Sequence, residues 1–159
     1  MKTLVVYDSV FGNTEQIALA ISRSLGSKEE VETFRVSDIK PEQLNGLKLL
    51  IIGSPTRGFK PTKAITEFLN KIPSNGLEGV RVLAFDTRLC TADVNSRLLN
   101  ILVKIFGYAA KPIADTLKKK GGSLIIPPEG FFVKESEGPL KDGELKRAAD
   151  WAKLAIKTQ

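Results

Sequence analysis

Apolar residues in this chain follow two alternating rhythms. Short unbroken runs at Thr3–Tyr7, Leu47–Gly53 and Val80–Phe85 read as strands buried on both faces. Between them, apolar positions recur every three or four residues. Ile17, Ile21 and Leu25 form one such face, closed by Gly26; Ile65, Phe68, Leu69 and Ile72 form another, ended by Pro73. Val31–Val36 favours β structure but carries Glu32 and Arg35, which suits an edge strand. Leu98, Leu102, Ile105 and Phe106 make a further apolar helix face, broken near Gly107. A short helix is expected from Ala109 to Lys120, with Pro112 in its first turn. Ser123–Ile126 reads as the last central strand, with Phe131–Val133 available to continue it. Asp142 to about Ile156 is predicted to be a closing amphipathic helix, with Leu145, Ala149, Ala152 and Ile156 on one stripe.

Continuous apolar strands alternating with helices imply an α/β fold: a parallel sheet covered on both faces. Right-handed crossovers leave two common doubly wound arrangements, and five strands in this length favour the order 2-1-3-4-5. No repeat, low-complexity tract or linker interrupts the pattern, so residues 1–159 are expected to form one domain.

Composition narrows the function. Apolar residues make up 42% of the chain and charged residues 26%, and no apolar run approaches the length of a membrane span. Met1-Lys2-Thr3 leads straight into a strand, so no signal peptide is expected. One cysteine, Cys90, excludes an internal disulfide framework and suits a reducing cytoplasm. With no histidine as well, a soft-metal site is not expected. The net charge of +6 suggests an anionic ligand or partner. Lys118-Lys119-Lys120 falls where a helix ends, the usual place for cations facing the helix dipole. Aromatic residues do not interleave with the lysines, so nucleic-acid binding is not expected.

In a sheet of this order, ligands bind beyond the carboxyl ends of the strands, where the strand order reverses. Three segments meet there: Asp8–Thr14, Ser54–Phe59 and Asp86–Asp93. The first opens a helix, whose free N–H groups and dipole attract an anion, and Gly12 permits close approach. Ser9, Asn13 and Thr14 add side-chain donors, and a terminal phosphate monoester fits such a loop. Simple helix capping by Asn13 or Thr14 explains the same residues. Neither the P-loop pattern nor a dinucleotide glycine fingerprint is present.

Ser9-Val10-Phe11-Gly12-Asn13-Thr14-Glu15 resembles the phosphate loop of flavodoxins. Gly53-Ser54-Pro55-Thr56-Arg57-Gly58 is similar to the second flavin loop of that superfamily. Phe131-Phe132-Val133, Glu137-Gly138-Pro139-Leu140 and Gly143-Glu144-Leu145 resemble the ending of a basic or neutral subgroup. The resemblance covers essentially the whole chain. It implies a flavodoxin-like fold, noncovalent binding of flavin mononucleotide (FMN) and a role in electron transfer.

The resemblance implies that Ser9, Asn13 and Thr14 hold the phosphate, with backbone from Val10, Phe11 and Gly12. Phe11 departs from the pattern, where a hydroxyl residue is usual. A hydrogen bond to a charged group contributes about 1.5–3 kcal/mol, so its loss weakens binding roughly tenfold or more. Phe11 either turns inward as packing, the preferred reading, or covers the flavin edge. Pro55 and Thr56 are expected to shape the ring pocket. Gly58 either reorients its peptide, presenting a carbonyl to a ring nitrogen protonated on reduction, or is an ordinary turn glycine. In the third loop, Asp86, Thr87, Arg88 and Cys90 are expected near the ring's pyrimidine edge. That loop lacks the aromatic that flavodoxins commonly stack on the ring, leaving Phe59 as the aromatic of the second loop. Arg57 and Arg88 are either solvated or face the ring's N1–C2=O edge, and Cys90 reads as a plain small thiol.

The expectation is an electron carrier with no catalytic side chain, serving redox partner proteins of acidic character. Alternatives are a small FMN-dependent oxidoreductase acting on a quinone, porphyrin precursor or nicotinamide, and a flavin-free binding module. Trp151 is expected to pack rather than to touch a flavin. The sequence leaves the oligomeric state open.

Overall fold

The computed structural model describes residues 1–91 and 96–157. Five parallel positions form one sheet in the order β2-β1-β3-β4-β5, with β6 pairing alongside β4. Strand β1 is Thr3–Tyr7, β2 Val31–Arg35, β3 Leu49–Pro55, β4 Arg81–Leu89, β5 Ser123–Leu124 and β6 Glu129–Val133. Helix α1 spans Asn13–Leu25, α2 Lys63–Lys71, α3 Arg97–Phe106, α4 Ala110–Lys119 and α5 Glu144–Lys157. Two short 3-10 turns, Val36–Asp38 and Pro41–Leu44, connect β2 to β3.

The central strands are apolar over Leu4–Val6, Leu49–Ile52 and Val82–Phe85, because both faces of the sheet are covered there. On one face, Leu50, Ile52, Val82 and Ala84 pack against Ile65 and Leu69 of α2 and Ile113, Ala114 and Leu117 of α4. On the other, Val5, Ile51, Leu83 and Phe85 meet Ile17 and Ile21 of α1 and Ala148, Trp151 and Ala152 of α5. Trp151 is packing, as expected: its ring meets Phe85 and Phe131 edge-on, at 6.3 and 6.0 Å. No helix among the described residues is long and apolar enough to cross a membrane.

Four elements differ from the sequence reading, one of them α5, whose buried face runs through Ala148, Trp151, Ala152 and Ala155 while Leu145 of the expected stripe is exposed. Strand β4 does not stop at Phe85 but runs to Leu89, because β6 extends its ladder from Phe85↔Glu129 to Leu89↔Val133. The last sheet position is split: β5 pairs only with Arg81 and Val82, and Pro127-Pro128, which cannot donate to a ladder, separate it from β6. Helix α3 forms where its apolar period predicts, but none of its residues is buried. Helix α4 follows it and supplies the residues that cover β4 instead.

Candidate functional site

Strand β1 leads into the first loop. Gly12 takes φ 90°, a left-handed turn that places Asn13 at the start of α1. The Ser9 hydroxyl braces this turn, accepting from the Gly12 N–H at 3.0 Å and the Glu15 N–H at 3.4 Å. Arg35 at the end of β2 supports it from outside, donating to the Ser9 carbonyl at 2.8 Å and pairing with Asp8 at 3.4 Å. The N–H groups of Val10, Phe11, Asn13 and Thr14 donate to no acceptor among the described residues. Several open donors at a helix N-terminus form a cradle for an anion.

Loop two follows β3 directly. Arg57 and Lys60 exchange backbone hydrogen bonds of 2.8 and 3.0 Å around Gly58-Phe59. Both central residues have positive φ, 53° and 69°, as a type I′ turn requires. Gly58 accepts that geometry without strain. Phe59 does not, and it rests against Phe106 of α3 with ring centroids 5.7 Å apart.

The third wall is the end of β4. Thr87 faces α1, and its hydroxyl lies 2.7 Å from that of Thr14, both buried. Its carbonyl accepts from the Thr56 N–H at 2.9 Å, so this one residue ties all three walls together. Asp86 and Arg88 point to the opposite face of the sheet. Asp86 is completely buried and holds Arg88 through two hydrogen bonds of 2.7 Å. It also accepts from the Ala110 N–H at 2.9 Å, which anchors the start of α4. Burial pushes the Asp86 carboxyl up, against the guanidinium and N–H that stabilise its charge. Arg88 in turn stacks on Tyr108 at 3.7 Å.

These walls enclose a cavity of about 300 Å³. Of the residues expected to form the site, Ser9, Val10, Phe11, Asn13, Thr14, Pro55, Thr56, Arg57, Gly58, Thr87 and Arg88 line it. Gly12, Phe59, Asp86 and Cys90 do not. Gly12 shapes the turn, Phe59 lies against α3, and Asp86 is consumed by its ion pair. Cys90 is a half-buried free thiol. Asp93, the far end of the third loop as read, lies outside the described residues.

Phe11 is not inward packing. It is 45% exposed at the tip of the turn, with the Arg57 guanidinium over its ring. The left-handed turn at Gly12 carries residue 11 away from the core, and the neighbouring cation gives its face a partner. Leu89, within the third loop as read, also lines the cavity, and so do Val133 and Ser136, which the sequence did not point to as site residues. Val133 ends β6, so the rule that ligands sit at carboxyl ends would have found it had β6 been recognised as a separate strand. The segment after it closes over the first loop, where the Asn13 amide donates to the Glu137 carbonyl at 3.1 Å. A larger groove of about 670 Å³ opens between the 3-10 turns and α2, away from all three loops.

Comparisons with known proteins agree with this fold. No curated protein matches the chain. Among solved structures, a flavodoxin from the domain Archaea shares 24% identity over 99% of both chains, with a TM-score of 0.76. Oxidised flavodoxin 2 from Bacillus cereus shares 24% over 100% of both, with a TM-score of 0.74. Rubredoxin oxygen:oxidoreductase from Desulfovibrio gigas matches at 18% and a TM-score of 0.73, over 99% of this chain but 36% of its own. At these identities the likeness shows the fold. The family model described as a flavodoxin domain matches residues 4–124, which hold the first loop, the second loop and all of β4, and on that match the chain belongs to the flavodoxin domain family.

Proposed function

We propose that the cavity binds FMN noncovalently and that the protein carries electrons between redox partners, with no side chain of its own acting as acid, base or nucleophile. The open N–H groups of the first loop, at the positive end of the α1 helix dipole, carry this reading. Their chemistry suits a phosphate monoester: donors without a competing carboxylate, and a Ser9 hydroxyl proton left to give. Bound there, FMN would supply the redox chemistry, as cofactors of this kind do.

The chain's own residues supply position and charge. Val10, Phe11, Asn13 and Thr14 hold the head group by backbone donors. Pro55, Thr56 and Gly58 form one wall for the ring and Thr87 to Leu89 the other. Arg57 brings a positive charge to the cavity wall. No carboxylate among the described residues neutralises it. The lone cysteine fits a reducing cytoplasm as the working compartment.

The test is purification followed by an absorption spectrum and stepwise reduction. A flavin spectrum, with reduction by an external donor and no turnover of reduced nicotinamide, supports the carrier. Turnover of nicotinamide or a quinone by the loaded protein alone would make it an oxidoreductase. A colourless protein that takes up no FMN would leave only a binding module of this fold.

A further inference from the structure

We propose that the outward face of α3 is the docking surface for an acidic protein with an apolar centre to its contact face. That the partner is a redox protein rests on the function proposed above.

The helix reads Arg-Leu-Leu-Asn-Ile-Leu-Val-Lys-Ile-Phe. Leu98, Ile101 and Ile105 fall at i, i+3 and i+7 and form one stripe, with Phe106 beside it. They are 66, 54, 67 and 60% exposed. Single exposed apolar residues are ordinary, but four adjacent ones on one short helix make a patch of the kind that marks an interaction site. The patch does not end at the helix. Phe106 touches Phe59, two residues beyond the cavity-lining Arg57, so the apolar surface continues to the rim of the site. A partner seated on α3 therefore lies next to the cavity, where electron transfer needs it.

Charge selects the occupant. Arg97 and Lys104, two turns apart, share one edge of the stripe, and α3 contains no acidic residue. Arg57 and Lys60 add positive charge at the Phe59 end, and both are exposed. A second copy of this chain would bring another molecule of net charge +6 and offer these cations no carboxylate from its own α3. A protein with acidic residues around an apolar centre complements both features.

The experiment measures binding of an oxidised acidic plant-type ferredoxin by calorimetry at low ionic strength, with basic cytochrome c as the opposite-charge probe. Neither measurement requires bound flavin, so loss of FMN uptake and loss of docking are read separately. The proposal expects ferredoxin to bind at least tenfold more tightly than cytochrome c. Ile105→Glu and Lys104→Glu should each weaken ferredoxin binding at least tenfold and leave FMN affinity unchanged. Lys153→Glu on α5 makes the same change in net charge elsewhere and should alter binding less than twofold. Equal losses in Lys104→Glu and Lys153→Glu would overturn the proposal in favour of net charge alone. So would an unaffected Ile105→Glu protein, or no ferredoxin binding. A dimer in sedimentation that Ile105→Glu abolishes would give the face to a second copy. Ile105-dependent binding to phosphatidylserine vesicles would give it to a membrane surface.

Discussion

Phe11 and Arg57 meet at the cavity, the guanidinium carbon 5.6 Å from the ring centroid. On the proposed function, this pairing explains how a phenylalanine is tolerated in an anion-binding loop: its backbone N–H would face the anion while its ring carries a cation. The pairing is weak at an exposed position, about 0.5–1 kcal/mol. A hydroxyl bonded to a phosphate contributes more, about 1.5–3 kcal/mol. Phe11→Thr should therefore bind FMN more tightly, by roughly tenfold or more, while riboflavin, which has no phosphate, should bind as before. Fluorescence titration with both ligands reads the difference, and an equal change for the two would contradict the assignment of this loop to the phosphate.

Arg57 and Arg88 both line the cavity but differ in net effect. Arg88 is neutralised by Asp86 beneath it, and Arg57 has no such partner among the described residues. On the proposed function, a cation beside bound FMN would favour its reduced, more negative form. A solvent-screened charge at 4 Å is worth about 1 kcal/mol, or roughly 40 mV for a one-electron couple at about 59 mV per tenfold. Arg57→Gln should lower the second-electron potential by about that amount. A redox titration that finds no shift would show that Arg57 is too well solvated to act on the ring.

The Thr14–Thr87 contact is buried and joins the first loop to the third wall. Thr87→Val leaves the Thr14 hydroxyl without its partner, a cost of about 1–3 kcal/mol. The double variant Thr14→Val/Thr87→Val removes both groups and should recover most of that loss. Urea unfolding of the single and double variants checks this, and strictly additive losses would contradict the pairing.

Glu144 heads α5 and fastens it to β6. It accepts from the Phe132 N–H at 2.7 Å and from the Arg147 guanidinium at 2.9 and 2.7 Å. Burial opposes its charge, but Arg147 and the Phe132 N–H outweigh burial and hold its pKa below the ordinary 4.5. A lowered folded pKa gives stability that is fully present above the unfolded value and is lost as pH falls through the folded one. Glu144→Gln should thus be less stable by about 1.5–3 kcal/mol at neutral pH. The gap from wild type should narrow as the pH falls below 4.5. An unchanged gap in acid would mean that the charge is not what holds α5.

The sheet order and its helices were legible because buried parallel strands and amphipathic helices write different periods. What the sequence obscured has physical causes. Asp86 and Arg88 look like loop residues after an apolar run, yet residues two apart on a strand share a face, so a buried ion pair can sit inside β4. The break between β5 and β6 depends on Pro127-Pro128, and with it went Val133 and Ser136 as cavity residues. The apolar period of α3 announced a helix, but periodicity reports which face is apolar and not whether anything covers it. Phe11 depended on a contact with a loop 46 positions away, which no local pattern encodes.

The most direct test of the account is calorimetric titration of the flavin-stripped protein with FMN, repeated with inorganic phosphate in competition. The account predicts one equivalent of FMN taken up, weakened as phosphate rises. Heat no greater than dilution, at concentrations where riboflavin is equally inert, would contradict it.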